Sequence, residues 1–373
     1  MAPIKSSLAR TIGKLLGVQK DTDLSLRGHV QSIRKVPSVK VTASGGNLSD
    51  ALAPGNGYKY HTFSNPGNFT VTAGSGEEGI VEVLVVAGGG SGSGTNVAGG
   101  AGAGGVVLAT GYAVTPGIYP VSVGGGGAAP TFSGPNPTRG GNPGTDSYFG
   151  PSGARLTAKG GGGGGNSYIG GVAGKSGGSG AGGGWENPNW PLGSSTEATA
   201  GPSTQGDETH PGAPGTITNY GNNGGTGGGT GPNGAIGGGG GGAGAVGTSN
   251  AFPAPNTAVG SQGGAGQPFP DFAYPLCFPG PNASTLGPNS PNNSHYAGGG
   301  GGGRHLAGSA AAQPGPTSGG VGGGGTGGNS RVADGGNNGT PGVDYLGGGG
   351  GDANGYETGG DGGDGIVIIR YVS

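Results

Sequence analysis

Cysteine, charge and long apolar runs are scarce in this chain of 373 residues. A single cysteine, Cys277, excludes an intrachain disulfide. Charged residues make up only 9 % and leave a formal net charge of −2, which argues against nucleic acid as a partner. No apolar run reaches the roughly eighteen residues that a membrane helix needs, so no membrane insertion is expected. Residues 1–18 are basic and mildly apolar, without the continuous apolar region of a signal peptide. Hydrophobic residues are 30 %, many of them alanine, so an ordinary core must be small.

Glycine is what the chain has in excess, 106 residues of it, with 29 prolines. Such a composition without a period reads as disorder or a flexible linker. Disorder usually goes with high net charge, which is missing here, and these glycines do carry a period. Gly171, Gly174, Gly177, Gly180 and Gly183 recur every third residue. The spacing returns at Gly221–Gly227, Gly319–Gly328, Gly336–Gly342 and Gly359–Gly365. Three is neither the 3.6 of a helix nor the 2.0 of a strand. It is the repeat of polyproline II, which has no internal hydrogen bonds. Buried rods of that kind must pair their backbone groups with one another, and glycine permits the close approach. The pattern predicts a sandwich or bundle of glycine-rich polyproline II (polyglycine II) helices in a mainly β and irregular fold.

Taken in order, residues 1–57 read as an N-terminal anchor. A short amphipathic helix carries Leu8, Ile12, Leu15 and Leu16 on one face, and a basic linker with Arg27 follows. Residues 58–373 read as one glycine-rich domain. Its β base covers 58–123 and 365–373, and its rods and loops cover 124–364. Tyr58–Phe63 and Phe69–Thr72 around Asn65-Pro66-Gly67 predict a hairpin. Thr115-Pro116-Gly117 predicts another. Ile80–Val86 and Ile366–Val372 are the most apolar strands. They are expected to pair and to close the base from which the rods extend.

Four motifs carry a family likeness: Tyr-Lys-Tyr-His-Thr-Phe at 58–63, Val-Glu-Val-Leu-Val-Val-Ala-Gly-Gly-Gly at 81–90, Thr-Pro-Gly-Ile-Tyr at 115–119 and Gly-Ile-Val-Ile-Ile-Arg-Tyr at 365–371. Together they resemble glycine-rich domains of structural proteins of tailed bacteriophages, of the type found in phages of marine bacteria, including cyanophages. The opening residues 8–16 and 21–28 look like a virion attachment segment. The likeness implies a virion protein, assembled in the host cytoplasm, that binds other virion proteins through its N-terminus. Its polyglycine II relatives among tail-fibre adhesins imply distal loops that touch a host surface glycan or protein. Appendages of this kind are often homotrimers, and a homotrimer is expected. The alternative is a capsid or tail decoration or cement protein.

Two long intervals, 185–220 and 251–296, hold both tryptophans and most late aromatics. The candidate receptor contacts are Trp185, Trp190, Phe269, Phe272, Tyr274 and Phe278. Trp185 and Trp190 either stack on sugar faces or pack a loop onto the bundle. Gly100, Gly102 and Gly105 match a dinucleotide pattern, but no helix follows it. The histidines lack metal-ligand spacing. Asp352, Asp361 and Asp364 read as turn residues, because no calcium-type repeat is sustained. No nucleophile elbow or paired-carboxylate signature is present. Neither enzyme activity, nor a metal, nor a cofactor is expected.

Overall fold

The computed structural model describes residues 38–94, 97–131, 140–166, 173–186, 196–229, 235–250, 261–277, 294–306, 317–331, 337–353 and 357–373. Leu8, Ile12, Leu15, Leu16, Arg27, Trp190 and Phe278 lie outside them. Ser38–Ser373 forms one compact unit. It begins with strands β1 (Val39–Ser44) and β2 (Ser49–Leu52), in residues that the sequence reading placed in a linker.

The unit is mainly β, and its two large sheets are open and antiparallel. After β1 and β2 come β3 (Tyr58–Phe63), β4 (Gly67–Ser75), β5 (Ile80–Val86), β6 (Val106–Ala113), β7 (Gly117–Ser122), β8 (Ser147–Phe149) and β9 (Leu156–Ala158). One sheet runs β1-β4-β7-β8-β9. The other runs from the edge strand Thr216–Tyr220 through β6, β5, the C-terminal strand Ile366–Val372 and β3 to β2. The C-terminal strand is therefore interior, and pairs with β5 as expected, Ile366 opposite Val86. It does not close the sheet, whose edges are β2 and Thr216–Tyr220.

Side-chain alternation explains why these two strands are apolar throughout. Val81, Val83 and Val85 of β5, with Val367, Ile369 and Tyr371, face a core shared with Phe69, Val71, Val121 and Phe149 of the other sheet. Leu84, Val86, Ile366 and Ile368 face the opposite way, onto Phe269, Phe272, Cys277, Tyr296 and Leu346. Both expected hairpins are in fact crossings between sheets. β3 pairs with the C-terminal strand and β2, whereas β4 pairs with β1 and β7. β6 likewise belongs to one sheet and β7 to the other. The turn residues reverse the chain, but burying Phe63 and Phe69 in one core puts their strands in facing layers.

The glycine runs that join the six-stranded sheet leave it at one end of its strands, where Val86, Val106, Tyr220 and Ile366 are cross-strand partners. Most of their length is neither helix nor strand. Run 97–105 is the clearest case. Gly99, Gly102 and Gly105 give their N–H groups to Gly165, Gly162 and Lys159; Gly100 and Ala103 to Gly238 and Gly241; Ala101 and Gly104 to Gly350 and Gly347. These bonds are 2.8–3.0 Å long. Its carbonyls accept from three further runs, through Gly90, Gly182 and Gly300 among others. Successive donors thus face three different neighbours and the cycle restarts every third residue. Run 298–303 repeats the cycle, giving 298 and 301, 299 and 302, and 300 and 303 to three separate partners.

Interior runs are packed on every side. A methyl group on Gly88, Gly89 or Gly90 would overlap the carbonyl oxygen of Gly125, Gly348 or Gly162 respectively. The expected single glycine edge, one residue in three, therefore understates the demand.

Candidate functional site

The runs end, away from the sandwich, in a cluster of interlocked residues. Val97 and Ala98 begin the returning half of the first glycine excursion. The Val97 carbonyl accepts the Trp185 N–H at 3.2 Å, and the Ala98 carbonyl accepts that of Gly303 at 3.0 Å. The Gly303 carbonyl in turn accepts from Gly237 at 2.8 Å. The Ala98 N–H goes to the Oδ2 atom of Asp352 at 2.8 Å. Arg304 donates its N–H to Gly328, whose own N–H goes to the Asp352 carbonyl. A short ribbon ties this end together: Gly228–Gly229, Ala235–Ile236, Arg304–Leu306 and Asn329–Arg331. The Trp185 indole packs with Val97 and Ala235.

Three side chains here carry buried polar atoms without hydrogen-bond partners. Arg304 is 0 % exposed, and its Nε, Nη1 and Nη2 atoms are all unpaired. Asp352 is equally enclosed, with Oδ1 unpaired. The Nε1 atom of Trp185 lacks an acceptor. Burial pushes the Asp352 carboxyl well above its usual range, against the pull of hydrogen bonds from the backbone of Ala98, Ala353, Ser93 and Gly303. Burial also lowers the Arg304 guanidinium from its ordinary value. Arginine nevertheless stays charged in proteins.

The glycine-rich domain model matches residues 62–372, which is most of the chain. The chain belongs to the glycine-rich domain family. No curated protein matches it.

Within this glycine-rich domain the expected contact residues divide. Trp185 does sit at the far end of the runs, but only 7 % exposed. Phe269, Phe272 and Tyr274 are 2–5 % exposed and belong to the sandwich instead. Phe269 and Phe272 cover the outer face of the sheet beside Leu84 and Ile368. The Tyr296 hydroxyl donates to the Phe272 carbonyl at 2.6 Å, and Tyr220 meets Phe269 edge-on. Phe269 and Phe272 hold a layer onto the sheet, and with Tyr274 they offer a partner almost no surface.

Arg370 fastens the same layer. Its Nε and Nη2 atoms donate to Glu82 Oε2 at 2.9 and 2.7 Å, and Nη1 donates to the Asp271 carbonyl at 3.3 Å. The guanidinium lies over the Tyr58 and Phe272 rings. That accounts for the arginine in the terminal Ile-Ile-Arg-Tyr motif.

Gly100, Gly102 and Gly105 spend their N–H groups on neighbouring runs and present none to a phosphate. Among the described residues no group of three acidic, histidine or cysteine side chains is placed to hold a metal. Asp361 and Asp364 accept the N–H groups of Ala129 and Gly126, standing in for run carbonyls. Sequence reasoning passed over Arg304 altogether. The only available signal is a long cation directly after Gly301, Gly302 and Gly303.

Proposed function

We propose that the glycine runs are polyglycine II rods and that the chain is a structural protein of a phage virion, a fibre- or spike-like appendage. The three-residue cycle of hydrogen-bond donation supports the rods, because polyproline II turns once in three residues. The four β motifs support the virion reading by their resemblance to structural proteins of tailed phages. The observation that carries it is polarity: the described glycine runs that join the six-stranded sheet leave it at one end of its strands, and Trp185, Arg304 and Asp352 lie together at the far end of the runs. A rigid body with a chemically distinct far end suits a receptor-facing appendage. In this reading the segment before β1, residues 1–37, engages other virion proteins, the far end meets a host surface glycan or protein, and the assembly is a homotrimer. It works by binding, without catalysis, cofactor, nucleic acid or membrane insertion.

The burial of Phe269, Phe272 and Tyr274 favours a second reading, a decoration or cement protein that has no receptor. Copy number in purified particles separates the two. A few tens of copies at one end, with labelled full-length chain binding host cells, supports the appendage. Hundreds of copies over the capsid supports cement. Absence from particles overturns both.

A further inference from the structure

We propose that Arg304 is an anion site: it holds one oxyanion, a carboxylate, phosphate or sulfate group, at the far end of the glycine runs. The guanidinium is 0 % exposed and none of its three nitrogens has a partner. A buried cation without a counter-charge is strongly unfavourable, and such groups in proteins are paired or neutralised. Arginine does not neutralise itself by losing a proton. Asp352 stands on the next run, joined to the Arg304 backbone through Gly328, yet it directs Oδ2 to Ala98 and leaves Arg304 unpaired. Water would satisfy the N–H groups but leave the charge uncompensated.

The planar fork selects the ligand class, since it matches carboxylate, phosphate and sulfate through paired hydrogen bonds. Full enclosure favours a small ion taken up as the runs pack. The acid group of a larger molecule, such as a uronic sugar, has the same chemistry as a free inorganic ion. The two sources share their chemistry and differ in size. Nothing in this assignment depends on the virion reading.

The test is thermal melting of the full-length chain, wild type and Arg304→Met. The series compares potassium chloride with phosphate, sulfate and galacturonate at matched ionic strength. Sulfate and phosphate stabilise most proteins by exclusion from their surface, so the difference between the two chains is the readout. Arg304→Met is expected to melt at or above wild type in chloride, because it removes an unpaired buried charge. Oxyanion is expected to lift wild type by roughly 2–4 °C more than the variant. An excess with inorganic ions alone assigns a free ion, and an excess at lower galacturonate concentration assigns an acidic sugar. Equal shifts in both chains overturn the site. If Arg304→Met does not fold, calorimetric titration of wild type and Arg304→Lys with phosphate decides. Binding that the lysine variant weakens supports the site, and absence of binding to wild type, or equal binding by both chains, refutes it.

Discussion

Gly100 and Gly206 make opposite demands on the same substitution. Gly100 lies in run 97–105, enclosed by other runs. A methyl group there would overlap the Gly300 carbonyl oxygen and stand 2.6 Å from its carbon. Ordinary contact needs about 3.4 Å, so the facing run must retreat by close to 1 Å. That retreat breaks the Gly300–Ala101 bond at 2.9 Å and strains its neighbours, Gly100–Gly238 at 2.9 Å and Ala101–Gly350 at 3.0 Å. Each buried group left unpaired costs about 1–3 kcal/mol. With two or three lost, Gly100→Ala should destabilise by about 2–9 kcal/mol, a large part of the usual 5–15 kcal/mol. Gly206 is exposed, with nothing within 4 Å of the added methyl. Gly206→Ala should stabilise by about 0.4–1 kcal/mol through the unfolded chain. Thermal melting of both variants, with hydrogen exchange of run 297–303, measures the contrast. Small effects of one sign in both would mean that the runs do not pack through their backbones.

Two other perturbations test the sandwich. Arg370→Met removes three donors and two ring contacts and strands Glu82, whose side chain is 28 % exposed; denaturant unfolding should show a loss of about 3–5 kcal/mol, and a loss under 1 kcal/mol would sink the fastening role. His61 is buried, donates from Nδ1 to the Gly45 carbonyl at 2.6 Å and accepts from the Tyr371 hydroxyl at Nε2, 3.1 Å. Burial lowers its pKa despite the Gly45 bond and Asp50. The unfolded chain therefore takes the proton first, so stability is complete above about pH 6.5 and falls as the pH drops toward the folded value. His61→Gln should flatten that part of the pH–melting curve, and an unchanged slope would refute the assignment.

The β base was legible wherever apolar alternation filled both faces of a strand. Val81 to Val86 and Ile366 to Ile369 could be paired from sequence because both had to be buried on two sides. The turns misled for a physical reason. Asn65-Pro66-Gly67 states that the chain reverses, not whether the next strand pairs alongside or crosses to a facing sheet. Only the shared burial of Phe63 and Phe69 settles that. β1 and β2 were missed because Lys40, Thr42 and Asp50 interrupt a short apolar pattern on two edge strands. The glycine period of three has a counterpart in the three-residue cycle of donors in runs 97–105 and 298–303. It misjudged how many faces are packed, since Gly88, Gly89 and Gly90 each meet a different carbonyl.

Of the candidate site, the sequence singles out Trp185, and Asp352 only as a turn residue, but not Arg304, and scarcity explains why. Reading aromatics in proline-rich intervals as exposed contacts assumes that the core is supplied elsewhere. Here hydrophobic residues are 30 % of the chain, and glycine runs supply no side chains to cover a sheet. Phe269, Phe272 and Tyr296 are drawn into that role because little else can cover Leu84 and Ile368. The same scarcity gives the opposite result at the far end. Backbone bonding among the runs needs no apolar side chains, so the end can be enclosed by polar ones. Arg304 and Asp352 are buried there among hydrogen-bonded runs. In a fold held by its backbone, the unpaired buried charge is the informative side chain, and no pattern of apolar residues points to it.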